Sequence, residues 1–202
     1  LFITRGKRQV SNSNLECVIM SVFEKAFSHT LGLEGKYSNN PHDTGGETMW
    51  GITKALAVHY GYSKPMRDMP VSIAKHIYKN EFWDKLRLED IAKISPELAV
   101  EMFDTAVNMG GAIAVMFLQT CLNSFNRQGK LYSDIKEDGA IGKTTLDTLH
   151  KYFASRGAKG ANVLLKAMNC LQGARYIELG RRREANEEFT FGWFDNRVNL
   201  CA

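Results

Sequence analysis

Cysteine is sparse in these 202 residues and poorly placed for cooperation. Cys17, Cys121, Cys170 and Cys201 form no CxxC pair, and no histidine pair sits at zinc-finger spacing. Neither a structural metal site nor a disulfide framework is expected. The thiols are read as free and buried, which suits folding in a reducing cytoplasm, and no cofactor is called for. Long apolar runs are also missing. Residues 105–126 carry no charge, but polar residues and glycines such as Asn108, Gly110, Gln119 and Asn123 interrupt them. The purely apolar stretch Ala112–Leu118 is too short to span a bilayer, so a buried central helix is expected there and no stable membrane insertion. A signal peptide needs an apolar run that Cys17-Val18-Ile19-Met20 is too short to supply. Residues 1–19 read as a tag remnant or a disordered extension, with Met20 a natural start, and synthesis in the cytoplasm without a signal peptide is expected. Internal repeats, low-complexity tracts and Pro/Ser-rich linkers are absent as well, so the two halves of the chain are expected to pack as one unit.

What is present is ordinary for a globular chain. Apolar residues make up 44% and charged residues 24%, which excludes disordered, collagen-like and coiled-coil classes. The length suits one domain, or a domain with a small appendage. Basic residues outnumber acidic ones by 26 to 22, for a net charge of +4. Arg5, Lys7, Arg8 and Glu16 lie within the first 19 residues and account for two of those net charges. A nucleic-acid partner, which requires a clustered basic face, is not expected. The run Arg181-Arg182-Arg183 reads as a solvated helix face.

Apolar spacing predicts mostly helix. Val22, Phe23, Ala26, Phe27 and Leu31 recur with helical period, giving a helix over 20–33 that ends near Gly32. Thr53 can cap a helix running to about Tyr60, and Pro70 can open one that carries Ile73, Ile77, Phe82 and Trp83. Pro96 starts a third, with Leu98, Met102, Ala106 and Met109 on one stripe, and the buried helix over 112–126 follows. After a polar break at 127–140, helices are expected over Ile141–Phe153 and Asn162–Glu188. Residues 35–51, rich in glycine, asparagine, Pro41 and Asp43, read as a long loop with one small hairpin, and such loops are commonly functional.

That loop carries the chemistry. Glu34 closes an apolar helix, Asp43 follows nine residues later and Thr48 five after that. A carboxyl at the end of a buried helix can be half desolvated, which raises its pKa and suits it to donate a proton. A second carboxylate in a wetter setting can stay ionised and hold water or stabilise positive charge, the division of labour that glycoside hydrolysis requires. The glycines allow close approach of backbone to sugar. Glu47 is an alternative second carboxylate. His42 reads as a surface histidine. Trp83 and Trp193 read as core, while Trp50, inside the loop, is a candidate to line a cleft. Asp104 and Asn108, one helical turn apart, are expected to make structural hydrogen bonds first and substrate contact second.

The run closely resembles the N-terminal signature of glycoside hydrolase family 108, which comprises phage endolysins and bacterial N-acetylmuramidases also described as secretion activator proteins. Glu34, Gly35, Tyr37, Asn39, Pro41, Asp43, Gly45, Gly46, Thr48, Gly51 and Ile52 carry the match. Lys36 and Thr44 depart from the pattern without touching the carboxylates. Phe103-Asp104 with Val107-Asn108 and Gly110 resembles the family's F-D-x-x-V-N-x-G helix. Leu118-Gln119, Leu122-Asn123, the segment Asp138–Leu146, Gly192-Trp193 and Arg197 resemble a helical peptidoglycan-binding-like module.

The resemblance implies a mainly α, lysozyme-like fold with a small hairpin or loop after the catalytic helix. It implies a catalytic region over 20–110 and a peptidoglycan-binding-like region over 111–202 packed on it. It implies cleavage of the β-1,4 bond between N-acetylmuramic acid and N-acetylglucosamine, in cell lysis or in wall remodelling for secretion. Glu34 is then the general acid, Asp43 and Thr48 position water, and Tyr37, Asn39, Trp50 and Asn108 contact substrate. The partner is the glycan strand of peptidoglycan, met in the periplasm or cell wall by way of a holin or another export route, by a protein expected to be monomeric. A lytic transglycosylase or a non-catalytic wall-binding or secretion-assisting protein are the alternatives.

Overall fold

The computed structural model describes residues 20–33, 37–39 and 46–198. The expected extension over 1–19, and Glu34 and Asp43, lie outside the described residues. Eight α-helices and one small sheet are present among the residues described, so the fold is mainly α. Helix α1 (Val22–Leu33) begins where the Ser21 hydroxyl accepts from the Glu24 N–H at 3.2 Å. It turns Phe23, Ala26 and Phe27 inward. Phe23 meets Trp83 edge-on with ring centroids 5.4 Å apart, and Phe27 meets Tyr78 at 5.6 Å.

Three two-residue strands follow, β1 (Tyr37–Ser38), β2 (Thr48–Met49) and β3 (Ile52–Thr53), all antiparallel in the order β1-β2-β3. One hairpin was expected and a three-stranded sheet is found. The extra hairpin comes from Trp50 and Gly51, whose φ values of 55° and 73° form the tight turn that matches strand twist. Thr53 caps α2 (Lys54–His59) by accepting from the Leu56 N–H at 3.3 Å, as its position predicts.

Pro70 precedes α3 (Val71–Tyr78), which runs into a π-helical turn over Lys79–Asp84 and then α4 (Leu88–Ala92). Helix α5 (Pro96–Met109) starts with Ser95 accepting from the Leu98 N–H and with Pro96 in the first turn. It is the central element, packed against α1 and α4, and Leu98, Met102, Phe103 and Ala106 are almost wholly excluded from water. Burying a side chain such as Phe103 is worth about 1.5–3 kcal/mol. Helix α6 (Gly111–Ser124) packs along α5 and hides Ala114, Val115, Leu118 and Leu122. No helix among the described residues is long and apolar enough to cross a membrane.

The C-terminal half departs from expectation at its ends. Helix α7 (Lys143–Arg182) is interrupted only at Gly157, where two helices meet at a kink, in place of a break over 154–161. It also stops at Arg183, whose backbone is extended, and does not continue to Glu188. A short 3-10 turn over Glu184–Asn186 then leads into α8 (Glu187–Arg197), which folds back on α7. Gly173 and Gly180 allow that approach, since side chains there would press on Phe194 and Thr190 at 3.3 and 3.0 Å. The thiols also differ from expectation, with Cys121 buried but Cys170 exposed.

Candidate active site

The sheet positions most of the predicted residues that the structure describes. Ser38, Thr48 and Thr53 are register partners across the three strands, so their hydroxyl-bearing side chains share one face. Tyr37, Met49 and Ile52 share the other, where Met49 and Ile52 are buried against the core. Thr48 therefore sits in the middle strand, at the centre of a row of hydroxyls. Asn39 is exposed just past β1.

The opposite face holds a polar cluster around Glu47. Its carboxylate accepts from the Tyr37 hydroxyl and from Lys54 Nζ, each at 3.2 Å. The Arg67 guanidinium lies 4.3 Å from the centre of the Tyr37 ring. Glu47 is thus engaged in holding the sheet to α2, and Tyr37 is part of that framework. Trp50 is half-buried, and its indole donates to the Met69 carbonyl at 2.8 Å while its own carbonyl accepts from Tyr78 at 3.0 Å. These bonds fix the β2–β3 turn to the helical layer beneath it. Trp83 is core, as expected.

Asn108 is placed elsewhere. Its amide donates to the Asp104 carbonyl at 2.9 Å, a structural bond of the expected kind, and its side chain faces a hollow lined by α8. Asp104 is buried and accepts from Arg197 Nη1 at 2.6 Å and from Gln172 Nε2 at 3.3 Å. Trp193, expected in the core, is half-buried and stacks on the buried Tyr176 with centroids 5.2 Å apart.

Three features escaped the sequence reading. A cleft of about 370 Å³ between α5 and α7 holds Glu101, with His29, Lys166, Asn169 and Arg197 around it. Burial pushes the Glu101 carboxyl up to about 7, the Asp104 charge adds to the rise, and hydrogen bonds from Asn169 and Thr105 oppose it. Glu101, Asp104 and Asn108 do share one stripe of α5 by spacing, but nothing in the spacing marks Glu101 as desolvated. The second is the Asp104–Arg197 pair, which joins residues 93 positions apart. The third is Gln119, only 1% exposed, which donates to Asp138 Oδ1 and the Ala140 carbonyl at 3.1 Å and accepts from the Gly139 N–H at 2.9 Å. The Asp138-Gly139-Ala140 segment is therefore a structural clasp on α6. Among the described residues no group of three His, Cys, Asp or Glu side chains is placed to hold a metal ion.

Residues 27–110 match the family model of glycosyl hydrolase 108, and residues 113–198 match that of a predicted peptidoglycan domain. The chain is thus similar to a glycosyl hydrolase 108 region over its first part and to a predicted peptidoglycan domain over its second. The structure of Brucella abortus SagA shares the fold, with a TM-score of 0.63 at 24% identity over 88% of this chain and 90% of that one. Comparison with curated proteins returned no match. The junction between the two matched regions falls at the first two residues of α6, which packs along α5. The glycosyl hydrolase 108 region contains the whole sheet, and the peptidoglycan region contains the Gln119 clasp and α8.

Proposed function

We propose that the protein is an N-acetylmuramidase that hydrolyses the β-1,4 bond between N-acetylmuramic acid and N-acetylglucosamine in peptidoglycan. The observation that carries this reading is the glycosyl hydrolase 108 match over residues 27–110, which encloses the run from Glu34 to Ile52. The adjoining peptidoglycan domain match supports the same substrate. In this mechanism Glu34 protonates the leaving oxygen, and Asp43 and Thr48 hold water against the oxocarbenium-like carbon. The central place of Thr48 in its hydroxyl row suits it to orient water. Tyr37 acts by fixing the sheet through Glu47, and Asn39 and Trp50 flank the same segment. The site of action is the periplasm or cell wall, reached through a holin or comparable route.

Digestion of purified peptidoglycan by the native chain and by Glu34→Gln, with products read by mass spectrometry, tests the proposal. Reducing N-acetylmuramic ends that vanish in the variant are expected. Anhydro ends would make the protein a lytic transglycosylase. Absence of fragments from both proteins, with wall binding retained, would leave a binding protein.

A further inference from the structure

Helix α8 presents an aromatic ladder that nothing in the catalytic scheme uses. The buried Tyr176 ring stacks on Trp193 at 5.2 Å and 27°, and Trp193 stacks on Phe189 at 6.1 Å and 25°. The ladder thus runs from the core to Phe189, which is 44% exposed. Beside it, between α8 and the last turn of α5, lies a hollow of about 340 Å³, at the small end of the range for ligand sites. Resting on the peptidoglycan reading above, we infer that this hollow, between Asn108 and the Phe189–Trp193 face, binds a neutral N-acetylated hexosamine unit of the glycan strand.

The chemistry of the walls selects that ligand. A pyranose ring offers an apolar C–H face that packs on an aromatic surface, and exposed aromatic surface fixed from below costs little to order. Asn108 and Asn196 supply the polar side. Each gives one amide N–H to its own helix, Asn108 to the Asp104 carbonyl at 2.9 Å and Asn196 to the Gly192 carbonyl at 2.8 Å. The second N–H and the Oδ1 of each remain to pair with the amide of an N-acetyl group. Gly192 keeps the floor open, because a side chain there would meet nothing nearer than Asn196 Nδ2 at 4.0 Å.

Charge argues for a neutral unit. The Arg197 guanidinium at the hollow's edge is committed to Asp104 and is only 6% exposed as a side chain. Glu188, on the opposite edge, is exposed and makes no ion pair among the described residues. Of the two charged groups that line this hollow, the cation is thus already paired and the anion is open, which disfavours the carboxylates of a peptide stem. Past Phe189 a second hollow of about 250 Å³ opens against Arg183 and Asn186 and shares Phe189 and Glu188 with the first. The exposed ring therefore divides two adjacent recesses, an arrangement suited to a polymer of repeating units.

The test is titration of the full chain with triacetylchitotriose, followed by NMR of the Trp193 indole N–H and the Asn108 and Asn196 side-chain amides. These signals are expected to move in the native protein. In Gly192→Leu, where the added side chain fills the hollow and improves helix propensity, they should stay still at an unchanged or higher melting temperature. Phe189→Ala should weaken binding about tenfold, the equivalent of one well-packed aromatic contact. Stationary signals in the native chain, full-sized shifts in Gly192→Leu, or shifts caused by an anionic stem peptide but not by the sugar would each overturn the assignment. Peptidoglycan digestion by the same proteins separates the two readings. Cleavage without shifts removes the hollow alone, whereas shifts without cleavage remove the muramidase and leave the hollow.

Discussion

Arg197, in the last turn of α8, donates to Asp104 of α5 at 2.6 Å, and both side chains are less than a tenth exposed. The pair ties the end of the peptidoglycan region to the central helix of the glycosyl hydrolase region. Gln172 of α7 completes the contact by donating to the second carboxylate oxygen at 3.3 Å. Asp104 thus fixes α7 and α8 on α5 at one point, and with them the hollow beside Asn108. Removing one partner strands the other charge in the interior. Asp104→Ala or Arg197→Ala should each cost about 3–5 kcal/mol. Replacing both with apolar residues, as in Asp104→Leu with Arg197→Met, should cost less than the two single changes together. Urea denaturation of the three variants gives the coupling, and additive losses would show that the pair does not act as a unit.

Glu101 makes stability depend on pH. Its carboxyl ionises near 7 in the folded chain against 4.5 for an ordinary glutamate. Between those values the folded state binds more protons than the unfolded state, so stability falls as pH rises through the window and levels off above it. His29, Glu97, Asp104, Lys166 and Arg197 are the other charged or titratable groups lining its cleft, and the Asp104 charge adds to the effect of burial. Glu101→Gln keeps the shape without the charge. At pH 8 the variant should be more stable by about 2–3 kcal/mol, given about 1.4 kcal/mol per pKa unit. That corresponds to a rise of roughly 5 °C in melting temperature for a chain of this size. Near pH 4.5 the two proteins should melt alike. A native chain whose melting temperature is flat between pH 4.5 and 7.5 would contradict the assignment.

The Gln119 clasp gives a third expectation. Replacing Gln119 by Leu leaves the half-buried Gly139 N–H and the carbonyl of the exposed Ala140 without their side-chain partner, and a polar group left unpaired out of water costs about 1–3 kcal/mol. A loss of about 2 kcal/mol is expected, measured by chemical denaturation. Gly139→Ala should be at least as harmful, because φ is 69° and the added methyl would sit 2.7 Å from the Ala112 carbonyl oxygen. Wall binding normalised to folded protein should be unchanged by either variant if the segment is structural.

Much of this architecture was legible wherever chemistry is local. The Pro96 start and the Thr53 cap act within one helical turn, and the uncharged run before Arg127 can only be satisfied by burial. The Glu34–Ile52 pattern identified the family region because its glycines and carboxylates stand at fixed offsets. Features set by distant partners were not legible. The stop at Arg183 has no glycine or proline to announce it, and its cause is the return of α8 onto α7. A two-residue strand such as β1 is too short to show alternation. Glu101 is an ordinary helical glutamate until α7 covers it, and Cys170 gives no sign that its side of α7 faces water.

The β2–β3 turn offers the sharpest test of how the sheet serves the site. Trp50 and Gly51 both need positive φ, which costs a side-chain-bearing residue about 1–2 kcal/mol and glycine almost nothing. Gly51→Val sets a β-branched residue in that conformation and should shift the pairing of Met49 with Ile52, moving Thr48 with it. Trp50→Asn does the reverse, since Asn-Gly is a favoured pair for this turn, although it gives up the bond to the Met69 carbonyl. If Thr48 works through the register of the sheet, Gly51→Val should lower kcat on peptidoglycan at least tenfold at temperatures where it remains folded. Trp50→Asn should retain most of kcat and lose its effect in KM, through missing contact with the glycan. Equal kcat losses in both variants would instead place Trp50 itself at the reacting bond.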